Sequence, residues 1–134
     1  MASPTITPYE DVTGFARGNG VLTKLLVGKS TNPDTIFTSG TTLFPPGCSA
    51  PFHSHNCAEQ VTVLAGRARV EVGDQVRELG PYDTSYIPAE QSHRFLNIGE
   101  DDLVILWVYG ARDVTRTFTE SGETVAHLAA GDQV

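Results

Sequence analysis

The chain has 134 residues, a formal net charge of -7 and 40% hydrophobic residues. That length fits one domain with a buried core, and an acidic balance with no basic cluster argues against a nucleic-acid partner. With 13 Gly and 8 Pro, and no 15-residue window carrying a helical stripe, the chain reads as short strands joined by tight turns.

The opening MASPTITPYEDV has neither a basic region nor an apolar stretch, so no signal peptide is expected and a cytoplasmic location is the default. Pro4, Pro8, Gly14, Gly18 and Gly20 suggest an extended arm within residues 1–30, running into a candidate strand at 21–27 (VLTKLLV). A second strand is expected at 36–44, ending at Pro45-Pro46-Gly47, and a third at 60–65. The segment ARVEVGDQVREL at 68–79 is the clearest local signal. Val70 and Val72 alternate with charged residues, Gly73-Asp74 makes a turn, and Val76 and Leu79 return. Strands at 84–87 and 92–98 follow, then a turn at Gly99-Glu100-Asp101-Asp102. The run LVILWVY at 103–109 predicts a strand buried on both faces and is far too short to span a membrane as a helix. Beyond it, in the tail 113–134, Val114, Arg116 and Phe118 alternate with threonines as in a half-buried strand, ending at the turn Glu120-Ser121-Gly122-Glu123. No internal repeat is visible.

The chemistry concentrates in two stretches. Between Gly47 and Gly66 stand His53, His55 and Glu59, and the segment PAEQSHRFLN adds His93 and Asn97. Residues two apart on a strand share a face, so His53 and His55 can present imidazoles to one ion. Asn56, Cys57 and Ala58 read as a bend that carries Glu59 onto the next strand, and His93 comes from a third. Imidazole suits zinc, copper, iron and nickel, and the carboxylate adds manganese and magnesium. Three of the four histidines thus form one candidate metal constellation. His127 lies away from it and reads as a surface residue.

These residues resemble the cupin superfamily. Its first motif is Gly, five residues, His-x-His, three or four residues, Glu, six residues, Gly, which Gly47, His53, His55, Glu59 and Gly66 match throughout. Of the second motif, Pro88, His93 and Asn97 are present, while Tyr82 and Glu90 stand where the family has glycine. The resemblance implies an all-β fold, a single cupin (double-stranded β-helix, jelly-roll) barrel over residues 1–134. Its core motifs would lie at 47–66 and 82–97, with N- and C-terminal extensions at 1–30 and 113–134. It implies His53, His55, Glu59 and His93 as ligands of a divalent metal (Fe, Mn, Ni, Zn or Co). It also implies a homodimer built through the arms; the alternative is that both arms cap their own barrel.

By resemblance, the chain is expected to be a metal-dependent enzyme acting on a small oxygenated organic substrate. The reaction would be that of a dioxygenase or an enolate-type isomerase, lyase or cyclase; the alternative is a non-catalytic small-molecule-binding cupin. Partners beyond the small molecule, whether nucleic acid or membrane, are not expected. Parity predicts that Phe95 and Asn97 point inward with His93 and that Arg94 points out. Trp107 and Tyr109 share a face, which looks either at the metal or into core or interface; in the first case Tyr109 is a candidate hydrogen-bond donor or acid. Glu90 is a candidate general base, although an exposed turn carboxylate is the plainer reading. Cys57 reads as a small buried residue, a spare soft ligand or a nearby thiol.

Overall fold

The computed structural model describes residues 3–134; Met1 and Ala2 of the expected arm lie outside the described residues. After one 3₁₀ turn at Tyr9–Asp11, twelve strands follow. They are β1 Gly14–Gly18, β2 Val21–Val27, β3 Thr38–Phe44, β4 His53–His55, β5 Glu59–Ala65 and β6 Ala68–Val72. The second half of the chain adds β7 Gln75–Leu79, β8 Thr84–Ile87, β9 His93–Asn97, β10 Leu103–Tyr109, β11 Thr115–Phe118 and β12 Thr124–Ala126. They form two six-stranded antiparallel sheets, β1-β2-β3-β10-β5-β8 and β12-β11-β4-β9-β6-β7, in the jelly-roll arrangement.

Period-two alternation drives the closure. Along β5, Val61 and Val63 are buried while Gln60 and Leu64 face outward. Along β10, Leu103, Ile105, Trp107 and Tyr109 are buried and the intervening residues half-buried. This corrects the expectation of a strand buried on both faces, because only the inner face of this central strand is fully covered. Val21, Val61, Val63, Ile87 and Leu103 are each at most 2% exposed, and burying such a side chain contributes roughly 1.5–3 kcal/mol.

Local differences from the expected elements have local causes. β3 begins at Thr38 rather than at 36, since the Thr35 hydroxyl donates to the Phe37 carbonyl and accepts from the Phe37 N–H. That turn leaves Ile36 outside the sheet, 82% exposed. Val76 returns in the β6–β7 hairpin but is exposed, because β7 is an edge strand. Tyr82 and Glu90, at the two missing glycine positions, adopt φ of 72° and 69°, so the turns keep the left-handed backbone without glycine. Hydrogen bonds hold both in place: Tyr82 N–H donates to Val63 O at 2.7 Å and Glu90 N–H to His55 O at 2.8 Å.

Parts of both expected extensions pair into the barrel's own sheets. From residue 14 onward the expected N-terminal arm is the β1–β2 hairpin, paired to β3. The tail pairs as β11 and β12 beside β4, then folds back so that Val134 N–H donates to Arg17 O at 2.9 Å.

Candidate metal centre

Strand register assembles the site. On β4, His53 pairs directly with His93 of β9 and lies opposite Phe118 of β11. His55, two residues on, lies opposite Arg116 of β11. Glu59 opens β5 between Tyr109 of β10 and Ile87 of β8. Directly opposed residues share a face, so the strands deliver these side chains to one point inside the barrel. The ring nitrogens of His53, His55 and His93 lie within 4.8 Å of one another. Glu59 Oε1 is 3.2 Å from His93 Nε2 and 3.6 Å from His55 Nε2.

Each histidine is oriented by a backbone carbonyl. His53 Nδ1 lies 2.7 Å from Pro51 O, His55 Nδ1 3.0 Å from Thr115 O, and His93 Nδ1 2.9 Å from Gln91 O. A carbonyl only accepts, so each Nδ1 carries a proton; the rings of His53 and His55, held neutral by burial, turn a bare Nε2 inward. Burial holds His53 well below the ordinary imidazole range, aided by repulsion from the neighbouring His93, Arg116 and His55. Burial likewise lowers His55, against the pull of Glu59. The approach of Glu59 to His55 is therefore not an ion pair.

Glu59 Oε1 is buried and has no hydrogen-bond donor. A carboxylate oxygen facing imidazole lone pairs is a costly contact unless a cation lies among them. Cis ligands about 2.1 Å from one ion sit about 3 Å apart, close to the 3.2 and 3.6 Å that separate Glu59 Oε1 from His93 and His55. The donor set therefore fits a divalent metal, with the backbone carbonyls that fix the imidazoles as its supporting shell.

Tyr109 completes one wall. Its hydroxyl lies 3.4 Å from His55 Nε2, and its ring centroid 4.6 Å from that of His55. Burial, reinforced by the nearby Glu59 charge, pushes the phenol well above its ordinary range, so it stays protonated and acts as a donor. The face shared by Trp107 and Tyr109 thus looks into the site. Phe95 and Asn97 point inward as parity predicts. Asn97 Nδ2 donates to Phe44 O and Asp101 O, both at 2.8 Å, tying off the barrel end.

Two expected roles fall elsewhere. Glu90 is exposed on its turn and is not among the residues lining the cavity beside the histidines, so the general-base reading is corrected to an exposed turn carboxylate. Cys57 is buried behind the bend, and burial together with the Glu59 charge pushes its thiol up to about 11. A thiol held protonated is a poor nucleophile and ligand, which leaves the small buried residue.

His127 is not a surface residue. The tail brings it into the cavity wall, its ring edge-on to Trp107 and Tyr109 at centroid distances of 5.0 and 5.1 Å. Burial, with the Arg17 charge second, pushes it down to about 3. Its Nε2 accepts from Arg17 Nη2 at 3.5 Å. Sequence reasoning also missed Arg17, Arg116 and Asp132. The Asp132 carboxylate is fully buried, with Oδ1 2.7 Å from Arg116 Nη1 and 3.1 Å from Arg17 Nη1. One signal was available, since Arg116 shares parity with Val114 and Phe118 and so stands on the buried face of its strand.

An all-β jelly roll with three inward imidazoles at its centre defines a barrel protein able to hold a metal. The family model described as "Cupin domain" matches residues 40–109, and the chain belongs to that family. No curated protein matches it. Among solved structures it is similar to an RmlC-like cupin from Shewanella frigidimarina (TM-score 0.70, 17% identity, covering 83% of this chain and 95% of that one). A predicted oxalate decarboxylase from Thermotoga maritima gives TM-score 0.70 at 20% identity, covering 80% and 99%. A sugar phosphate isomerase of the cupin superfamily from Silicibacter pomeroyi gives 0.72 at 16%, covering 97% and 96%. At these identities the likeness is one of fold. No helix among the described residues is long and apolar enough to cross a membrane.

Proposed function

We propose that this chain is a metal-dependent enzyme that binds a small oxygenated organic substrate at an ion held by His53, His55, Glu59 and His93. The observation that carries the reading is the buried Glu59 Oε1, which has no hydrogen-bond donor among the described residues and faces the Nε2 atoms of two carbonyl-fixed histidines. When bound, a divalent ion supplies Lewis acidity toward a carbonyl or carboxylate oxygen, and a redox-active one adds oxygenation chemistry. The chain's own residues do the rest. Tyr109 presents a neutral O–H at the site, suited to an oxygen on which negative charge develops. Trp107 and His127 form an aromatic wall that keeps bulk water from that donor.

The fold neighbours carry unrelated activities, one described as a predicted oxalate decarboxylase and another as a sugar phosphate isomerase. They support the class of a metal-assisted reaction on a small oxygenated molecule, and the site decides the rest. The test is oxygen uptake and product analysis on metal-loaded protein with a panel of diketones, catechols and hydroxy acids, beside His93→Ala. Turnover that His93→Ala abolishes supports the proposal. Oxygen consumption assigns a dioxygenase, and turnover without it assigns isomerase, lyase or cyclase chemistry. Binding without turnover across the panel would reduce the protein to a non-catalytic small-molecule barrel.

A further inference from the structure

We propose that the cavity beside the histidines is a subsite for the anionic end of a small organic acid, read by Arg116; as a statement of substrate class this rests on the metal-dependent reading above. Arg116 stands opposite His55 in the β4–β11 register and is 2% exposed. Its Nη1 donates to Asp132 Oδ1 at 2.7 Å and to Gln133 O at 3.2 Å, and its guanidinium lies over the Phe118 ring at 4.7 Å. Its Nε is buried and has no hydrogen-bond partner among the described residues. Buried donors without acceptors are rare in folded proteins, and rarer on a charged group.

No neighbour on the cavity wall answers that donor. Asp132 Oδ1 is shared by Arg116 and Arg17, and Oδ2 accepts from Leu128 N–H at 2.8 Å. Arg17 has spent its own Nε on the Thr23 hydroxyl at 2.6 Å. Two guanidiniums thus share the Asp132 carboxylate, leaving the Arg116 Nε–H in excess at that end, while Glu59 is the carboxylate at the histidine end of the same cavity. The guanidinium pair is a local feature of a chain whose formal charge is -7.

A guanidinium edge with a free N–H suits a carboxylate oxygen. Arg116 and the imidazoles line one cavity, together with Arg17, Tyr109 and His127, with a volume of ≈ 50 Å³. That is room for a few waters or a molecule of a few heavy atoms. The ligand that fits both ends is a short-chain hydroxy, oxo or dicarboxylic acid, one oxygen group at the histidine cluster and a carboxylate on Arg116.

The test titrates glycolate and malonate, with glycolamide as the neutral control, into metal-free and Zn²⁺-loaded protein by calorimetry. Wild type is compared with Arg116→Gln and Arg116→Lys, zinc content being measured first in each. Arg116→Lys keeps a cation for Asp132, and with it the fold, while removing the Nε donor. The expected result is acid binding roughly 10- to 100-fold weaker in both variants, the range of a charge-assisted hydrogen bond. Zinc content and the glycolamide response should be unchanged. Equal acid affinity in wild type and both variants would overturn the subsite, as would equal affinity for acid and amide, or no acid binding by wild type. If wild type takes up no zinc, the metal reading fails, and the metal-free titration still decides the subsite.

Discussion

Asp132→Asn isolates the buried charge cluster that closes the barrel mouth. The carboxylate is fully buried between Arg17 and Arg116, and the substitution keeps its shape while leaving two buried guanidiniums without a counter-charge. Breaking a buried pair in this way costs about 3–5 kcal/mol. With an unfolding entropy of about 2.1 cal/mol/K per residue, a chain of this length loses roughly 10–18 °C in Tm. The assay is calorimetric melting at pH 7, with Asp113→Asn as the control, since the Lys29–Asp113 pair is exposed at 56% and 70% and should leave Tm unchanged. The sign with pH is fixed. Burial opposes ionisation of Asp132, but Arg17, Arg116 and the Leu128 N–H overcome it and hold the carboxyl below its ordinary value. A depressed acid stabilises the fold above the unfolded value, about 3.9, and loses that contribution as pH falls. The gap between wild type and Asp132→Asn should therefore close below about pH 4. If both asparagine variants melt within a few degrees of wild type at pH 7, the cluster does not anchor the tail.

Three further outcomes are expected. Tyr109→Phe should retain metal and lower turnover by more than about tenfold through loss of one donor, while Glu90→Ala should change neither, as read by metal content and steady-state rates. Gly40→Ala should lower stability by about 1–3 kcal/mol in a denaturant melt, because a Cβ there would lie 2.5 Å from the Trp107 ring and against the Lys24 carbonyl. His53 and His55 are held neutral by burial in the folded chain, whereas in the unfolded chain they titrate near 6.5. Their contribution is present above that value and lost as pH falls, so metal-free Tm should decline from pH 7 to 5.

The convergence of His53, His55, Glu59 and His93 was legible in the sequence from short-range pattern: a His-x-His on one strand face, a glutamate after a bend, and a histidine on a later strand. The orienting carbonyls of Pro51 and Gln91 are also local, each two residues before the ring it holds. The charge cluster was not legible, because Arg17 and Asp132 meet only when the tail folds back across the barrel mouth. The same fold-back brings in His127, and its apolar neighbours Val125, Ala126, Leu128 and Ala129 were the one signal of burial there. Nor does parity say which face of β10 looks inward; that follows from its seat between β3 and β5. Tyr82 and Glu90 show the opposite limit, since the turns keep their backbone when the residue expected to require it is absent.

The most direct measurement is the metal content, by inductively coupled plasma mass spectrometry, of wild type, His53→Ala, Glu59→Ala, His93→Ala and His127→Ala after equal exposure to metal. About one ion per chain is expected in wild type and His127→Ala, with strong depletion in the other three. Equal content in all four variants, or no ion retained by wild type, would contradict a metal centre built from His53, His55, Glu59 and His93.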